Sequence, residues 1–268
     1  MIPASVTTAL LGRPFVPATL LVTGGVILFL LACFGKKSSE PAGRVLGALG
    51  AIYLTIVLAL RWHVSGHVPM ASGFEMMMVI AWAACLLVAL AGNRFSAFRP
   101  MGVLLAGFAT LVAALGKSTP DAGPLSPSLA SPFLAVHVSC MMFAYTLFGL
   151  LALCGAMGLI VRDAGVRRDL ADRGLVVLYP ALFLMTAGTI VGSFWANVSW
   201  GTYWNWDPKE TWALVVIIVY SRPLHSHVFK FLQKPERFHL FCILAFLTVL
   251  FTYFGVNLLL GGMHSYAG

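Results

Sequence analysis

The sequence predicts an all-α protein that crosses a membrane several times as a polytopic transmembrane helix bundle. Of its 268 residues, 60% are hydrophobic and 10% are charged, whereas a soluble domain carries about 25% charged residues. The hydrophobic residues form continuous runs close to the roughly 20 residues that a membrane-spanning helix needs, without the alternation typical of barrel strands. This composition excludes a disordered chain, a disulfide-stabilised scaffold and a soluble nucleic-acid-binding domain.

About eight segments are apolar enough to span the membrane, and they make residues 1–268 a single integral membrane domain. They are predicted at 17–34, 43–62, 74–91, 100–116, 133–161, 175–195, 210–228 and 238–260. Lys36 and Lys37 follow the first segment, whereas a signal peptide carries its positive charge in front of its apolar stretch. The first segment is therefore predicted to be an uncleaved span.

The basic residues indicate the orientation of the chain. Thirteen of the 17 lysines and arginines fall in the loops after the first, third, fifth and seventh spans. These loops are therefore predicted to be cytoplasmic, which places both termini on the extracytoplasmic side. The net charge of +8 then faces membrane lipids on the cytoplasmic side, and no basic patch remains for a nucleic acid. The four exceptions are Arg13, Arg61, Lys117 and Lys209.

Residues 195–210 form a predicted outer loop that is dense in aromatic side chains. Five of the seven tryptophans lie between residues 195 and 212, together with one tyrosine. Two interpretations remain open: an aromatic belt at the depth of the lipid headgroups, or a flat apolar surface on which a planar conjugated ligand could stack. The six side chains are Trp195, Trp200, Tyr203, Trp204, Trp206 and Trp212.

The end of this loop predicts a helix that begins at Pro208. Asp207 suits the N-cap position, proline suits the first helical position, and Glu210 completes a capping box three residues after the cap. This capping role is favoured over a catalytic role for both acids. Since no nucleophile, acid–base pair or phosphate-binding loop is visible, no catalytic residue is identified.

Two histidines are predicted on the same side of the membrane as the aromatic loop. His137 lies at the outer start of the fifth span, and His264 lies just beyond the outer end of the eighth. Ionisable residues in or near a bilayer are costly and indicate function by default. Two neutral imidazoles at one level can be the axial ligands of a haem iron. The alternative is a pair of interfacial histidines bonded to water or headgroups.

The remaining histidines are predicted to lie elsewhere. His225 is expected about 21 Å along its helix from the outer site, near the cytoplasm. Because residues i and i+2 of a helix diverge by about 200°, His225 and His227 are not expected to face one iron. His239 is expected to be a solvated histidine of an inner loop. His63 and His67, in an outer loop, have no clear role.

The five cysteines show none of the spacings of metal, redox or haem-attachment motifs. They are therefore expected to be small buried hydrophobic residues rather than reactants. They are Cys33, Cys85, Cys140, Cys154 and Cys242.

Several stretches of the sequence resemble the CcsA family of System II cytochrome c biogenesis proteins. The segment 192–214 is similar to the tryptophan-rich WWD signature of membrane proteins that handle haem. The resemblance covers the chain from about residue 45 to the C-terminus. The stretches are GSFWANVSWGTYWNWDPKETWAL (192–214), RWHVSGHVP (61–69), VHVSCMM (136–142), LHSH (224–227) and GVNLLLGGMHSYA (255–267).

This resemblance implies a function. Members of the family work with a CcsB/ResB-type membrane subunit, carry haem b across the membrane and present it to the CxxCH motif of apocytochrome c. The resemblance therefore implies that the chain is a subunit of a holocytochrome c synthase. It also implies a bacterial inner membrane or a thylakoid membrane, with the WWD segment on the extracytoplasmic side.

The resemblance also implies which residues bind haem. His137 and His264 match the two external ligands of the haem iron. His225 matches the histidine of a second, inner haem site, whose other ligand is expected from the partner subunit. The remaining haem-site residues are Trp195, Trp200, Trp204, Trp206 and Asp207.

Two other functions remain open from the residues alone. A b-type electron-transfer membrane subunit would need histidine pairs that face each other within the spans, and spans one to four and six contain no interior histidine. A secondary transporter typically shows internal repeats or helices broken at the midplane, and the two halves of this sequence show no convincing repeat.

Overall fold

The computed structural model describes residues 40–91, 93–115 and 131–260. Within these ranges all regular secondary structure is helical, which confirms the predicted all-α class. The first predicted span at 17–34, together with Cys33 and His264, lies outside the described residues. The chain divides into two compact units, one before Ser131 and one from Ser131 onward.

The first unit is built around a central apolar helix. Its helices are α1 (Glu40–Ser65), α2 (Gly73–Leu90) and α3 (Arg99–Leu115), the last preceded by a 3₁₀ turn at Asn93–Phe98. Helix α2 packs against both α1 and α3. It begins at a capping box in which Ser72 and Glu75 bind each other's backbone amides, the arrangement that favours a helix start.

The second unit is built around helix α4 (Pro132–Ile160), which packs against α5 (Ala164–Trp200) and α7 (Pro235–Leu250). A proline at the first position of α4, α6 and α7 suits a helix start, where the missing amide proton is not needed. The elements are α4 (Pro132–Ile160), α5 (Ala164–Trp200), α6 (Pro208–Ser221), 3₁₀ turns at Arg222–His225 and Lys230–Gln233, α7 (Pro235–Leu250) and a π-helix at Phe251–Leu260.

Two predicted boundaries in this unit are wrong. Helix α5 is 37 residues long and continues to Trp200, so the predicted loop at 195–210 shrinks to residues 201–207. The helix stops there because Gly201 adopts the left-handed conformation, with φ of +78°, that commonly ends helices. Helix α6 ends at Ser221 rather than near residue 228, because Pro223 cannot continue the hydrogen-bonding pattern of an α-helix.

Four of the described helices are long and apolar enough to cross a membrane: Gly73–Leu90, Pro132–Ile160, Ala164–Trp200 and Pro235–Leu260. Helix α1 contains a shorter apolar stretch, Gly47–His63. Helices α3 and α6 have 17 and 14 residues, which is less than the roughly 20 that a span usually requires. The count of eight spans and the position of the termini therefore stay predictions.

Candidate functional site

The imidazole of His137 lies between α4 and α5 of the second unit. Its Nδ1 is 2.7 Å from the carbonyl oxygen of Gly188. Because a carbonyl oxygen only accepts hydrogen bonds, Nδ1 is the donor, and the lone pair of the neutral ring is on Nε2. The ring also lies nearly parallel to the indole of Trp195, with 14° between the planes and 6.2 Å between the centroids. His137 thus has a defined tautomer and a defined ring plane.

The tryptophans next to His137 form two steeply inclined pairs. Trp195 is almost fully buried and meets Trp200 at 67°, while Trp204 meets Trp206 at 89°. They do not form the single flat surface that the sequence suggested, so a planar ligand could lie parallel to only one ring of each pair.

Trp206 is 68% exposed and has a φ of +58°, which is a strained conformation for a bulky residue. The hydroxyl of Thr211 donates to its carbonyl oxygen.

Two buried carboxylates hold the base of the aromatic loop. Glu210 accepts hydrogen bonds from the backbone amides of Asn205 and Asp207, at 2.8 and 3.2 Å. Asp207 in turn accepts from the amide of Lys209 at 3.0 Å. The predicted capping box is therefore confirmed. Both carboxylates accept hydrogen bonds from backbone amides and thereby hold the shape of the loop.

Further ring contacts attach the loop to the helices around it. Tyr203 meets Phe194 of α5 edge to face at 5.8 Å, and Phe194 stacks on Phe133 of α4 at 6.2 Å. At the start of α6, Trp212 lies 4.2 Å from Phe251. Phe133 is one helical turn from His137. The aromatic residues and His137 therefore occupy the same end of the second unit.

The structure does not bring His225 to this site. His225 follows the 14-residue helix α6, whose length of about 21 Å separates it from the aromatic loop. Its Nδ1 donates to the carbonyl of Ser221 at 2.9 Å. The prediction that His225 and His227 diverge is wrong, because Pro223 ends the α-helix before them. Their ring centroids lie 6.1 Å apart, and both side chains are exposed.

The expectation for His239 is also wrong. It is not a solvated loop residue but a fully buried residue of α7. Its ring fills the space left by Gly158 of α4, where an added Cβ would collide with the imidazole. Its Nε2 donates to the carbonyl oxygen of Arg167, at 3.0 Å. The loop ends one turn earlier than expected, at Pro235, and this places His239 inside the helix packing.

An ion pair in the first unit was missed by sequence reasoning. Arg61 was considered only for the orientation of the chain, yet Arg61 and Glu75 are both buried and the guanidinium Nε binds the carboxylate. Glu75 also accepts from the amide of Ser72. The pattern Ser72-x-x-Glu75 was the available signal, since it is that of a capping box. This pair joins α1 to α2 on either side of the segment that carries the half-buried His67.

No group of three or more histidine, cysteine or acidic side chains comes together among the described residues. A multidentate protein site for a metal ion is therefore not formed by them. A haem iron needs at most two axial ligands from the protein, so single histidines such as His137 are compatible with haem. The prediction of buried cysteines is confirmed for Cys85, Cys154 and Cys242, whereas Cys140 is half-buried.

Comparisons with known proteins give a consistent result. The profile of the family described as "Cytochrome C assembly protein" matches residues 70–264. The chain is 31% identical to the cytochrome c biogenesis protein CcsA of Synechococcus sp. (strain CC9902), over 96% of this chain and 99% of that protein. It is 33% identical to CcsA of Chlamydomonas reinhardtii, over 83% and 67% of the two chains.

Two longer proteins also contain a region similar to this chain. The protein NrfI of Wolinella succinogenes is 35% identical over 95% of this chain, which spans only 30% of NrfI. The solved structure of the cytochrome c haem lyase CcmF superposes with a TM-score of 0.73 at 18% sequence identity, over 92% of this chain and 46% of that chain. At this identity the likeness to CcmF establishes a common fold.

Proposed function

Because this chain belongs to the cytochrome c assembly protein family and is of the CcsA type, we propose that it carries haem b across the membrane and presents it to apocytochrome c. The chain is an integral membrane protein with a role in attaching haem to cytochrome c. The proposal adds the direction of transport, the identity of the haem and its delivery to the CxxCH motif of apocytochrome c.

The observation that carries the proposal is the setting of His137. Its Nδ1–H is bound by the Gly188 carbonyl, and a histidine that ligates a metal almost always donates its other ring nitrogen in this way. Nε2 is then the nitrogen that can coordinate iron, at the edge of a cluster of tryptophans. We propose that His264 would be the second histidine that holds the haem iron, on the strength of its match to the family. Among the described residues, His137 and the aromatic side chains beside it therefore fit a haem group.

The side chains of this end of the molecule would position the haem rather than react with it. The haem itself supplies vinyl groups, to each of which a cysteine thiol of apocytochrome c adds its sulfur and its hydrogen. Trp195, Trp200, Trp204 and Trp206 would keep water away from the porphyrin face. Asp207, through its capping bonds, would hold the loop that carries Trp204 and Trp206. Fixing the orientation of two reactants is itself a large source of rate acceleration.

We further propose that His225 belongs to an inner haem site at the cytoplasmic side. Its position at the far end of α6 supports two separate sites along one path across the membrane. A CcsB/ResB-type subunit would supply the second ligand there, and the whole assembly would act as a holocytochrome c synthase. In this arrangement the aromatic loop faces the extracytoplasmic side and both termini lie there.

The experiment that tests the proposal measures haem bound to the purified protein. We expect His137→Gly to lose most of the haem seen in a pyridine haemochrome spectrum, and to lose maturation of a reporter cytochrome c. Added imidazole should restore part of both, since it can occupy the vacant axial position. His63→Gly is the matched control, because His63 is an exposed residue at the end of α1. Normal haem content in His137→Gly without imidazole would overturn the proposal.

A further inference from the structure

We propose that Gly188 and Gly192 of α5 are positioning residues that set the tautomer and the plane of the His137 imidazole for haem binding. This inference rests on the proposed function and adds to it two residues that carry no side chain. From the sequence alone, the pair has the GxxxG spacing that lets helices approach closely. In the structure the pair also contacts the side chain of His137 on the neighbouring helix α4.

The first step in the argument is steric. A Cβ atom added to Gly192 would lie 2.5 Å from Nδ1 and 2.7 Å from Cε1 of His137. Both distances are far below van der Waals contact, and an imidazole ring is rigid, so the ring would have to move as a whole. The observed position of His137 therefore requires glycine at residue 192.

The second step concerns the hydrogen bond. The carbonyl of Gly188 accepts from Nδ1 of His137 at 2.7 Å, and in an α-helix the same carbonyl accepts the amide of residue 192. A carbonyl oxygen has two lone pairs and can serve both donors. An added Cβ on Gly188 would lie only 2.9 Å from Cβ of Cys140, so the close approach of α4 and α5 that brings this carbonyl to the ring also depends on glycine.

The third step concerns the face of the ring. Trp195 lies three residues after Gly192, on the same side of α5, and its indole is nearly parallel to the imidazole. One turn of α5 thus provides an acceptor for Nδ1, space for the ring edge and a flat neighbour for the ring face. Together these contacts limit rotation of His137 and keep the lone pair on Nε2.

The chemical consequence is that the imidazole of His137 already has the tautomer and the orientation that iron binding needs. A backbone acceptor on Nδ1 makes Nε2 a stronger donor to iron, and loss of such an outer partner typically weakens metal binding about 10-fold to 100-fold. The fixed plane would also hold Nε2 in one direction for a bound haem iron. We therefore expect Gly192 to matter for haem retention although it cannot touch the iron.

The experiment compares Gly192→Ala with His137→Gly in purified protein. Gly192→Ala should reduce retained haem at least about 10-fold and shift the absorption maxima of the remainder, and added imidazole should restore part of the signal in both variants. The double variant should lose no more haem than His137→Gly alone, because both changes act through the same ring.

The matched control for general packing damage is Gly155→Ala. Gly155 lies on α4, the helix that carries His137, and an added Cβ would lie 2.5 Å from the backbone oxygen of His239, a clash as close as that at Gly192. This variant should lower thermal stability, while its folded fraction keeps normal haem content and normal absorption maxima.

The outcomes separate this inference from the proposed function. If His137→Gly itself retains haem, the proposed function fails. If His137→Gly loses haem but Gly192→Ala keeps normal haem content and spectra, the positioning role is wrong. A haem loss in Gly192→Ala that adds to that of His137→Gly, and that imidazole does not restore, would also overturn the role and assign Gly192 to helix packing alone.

Discussion

Two histidines of the second unit pack against glycines in the same way, at opposite ends of α4. His137, near the start of α4, occupies the space beside Gly192 and donates to the carbonyl of Gly188. His239, on α7, occupies the space beside Gly158 near the end of α4 and donates to the carbonyl of a residue of α5. In both places a missing Cβ makes room for an imidazole, and a helix carbonyl fixes one of its nitrogens.

The two sites differ in what surrounds the other nitrogen. His137 is only half-buried and lies against tryptophans near a loop. His239 has no exposed surface, and its Nδ1 has no hydrogen-bond partner among the described residues. Next to it, Arg167 forms an ion pair with Glu236 at 2.7 Å. A histidine packed against a glycine is therefore not in itself a sign of function; the two differ in exposure, because His137 is half-buried and His239 is fully buried.

The largest expected effect tests whether His239 is purely structural. His239→Ala leaves a cavity against Gly158 and removes the hydrogen bond to Arg167, which should lower the free energy of unfolding by about 2 kcal/mol or more. For a chain of this size that corresponds to a Tm lower by about 4–8 °C, measurable by thermal unfolding in detergent. Haem content per folded molecule should not change.

His63→Ala is the control for this prediction, because His63 is exposed and its loss should leave the Tm within about 1 °C. A His239→Ala protein that unfolds normally but loses haem, with recovery on adding imidazole, would contradict the comparison. It would place His239 with His137 among the candidate ligands rather than with the packing residues.

The features that sequence reasoning predicted correctly are local ones. The capping box of Asp207 and Glu210 lies within four consecutive residues and is recognisable from them alone. The long apolar runs likewise predict the helices directly. The end of α6 was also within reach, since Pro223 lies inside the predicted span at 210–228 and proline rarely continues a helix. The wrong expectation for His225 and His227 follows from passing over that residue.

The features that sequence reasoning missed depend on contacts between distant parts of the chain. Burial of His239 depends on a glycine of another helix, and the tautomer of His137 depends on a carbonyl 51 residues away. A sequence does not show which backbone carbonyl a distant side chain will contact, so the hydrogen bond of His137 could not be predicted. The inclination of the tryptophan rings is equally a product of tertiary packing, whereas their clustering in one segment was visible at once.

The second prediction is the reverse of the first, because the substitution should change haem retention and leave stability nearly unchanged. Trp206→Leu should lower retained haem by a few-fold to about 10-fold, the loss expected from one aromatic contact of about 1 kcal/mol. The Tm should change little, because Trp206 is 68% exposed. Phe183→Leu is the matched control, since Phe183 of α5 is an aromatic residue that is 71% exposed and outside the aromatic loop.

If Trp206→Leu and Phe183→Leu retain the same amount of haem, Trp206 is an interfacial aromatic residue. A combined replacement of Trp200 at the end of α5 and of Trp204 and Trp206 in the loop by leucine extends the test to the whole aromatic cluster. Unchanged haem in that variant, with the protein still inserted in the membrane, would show that the aromatic loop is a belt and that His137 acts without it.

The smallest expected effect concerns Lys209 at the base of the same loop. Burial lowers the pKa of Lys209 from 10.5 to about 8, although the nearby carboxylate of Asp207 raises it. Below pH 8 the amine is charged in both the folded and the unfolded state, so the cost of burying the charge is fully present. Between about pH 8 and 10.5 the unfolded chain binds more protons than the folded one, and stability therefore rises with pH through this window.

The measurement that isolates Lys209 is the difference in Tm between pH 7.5 and pH 9.5, compared in the wild type and in Lys209→Met. Other groups that titrate over this range contribute equally to both proteins and cancel in the comparison. The wild type should gain a few degrees more than Lys209→Met on going to pH 9.5, because only the wild type loses a partly buried charge. Equal changes in the two proteins would mean that the Lys209 ammonium group is hydrated in the folded state. The base of the aromatic loop would then be open to water.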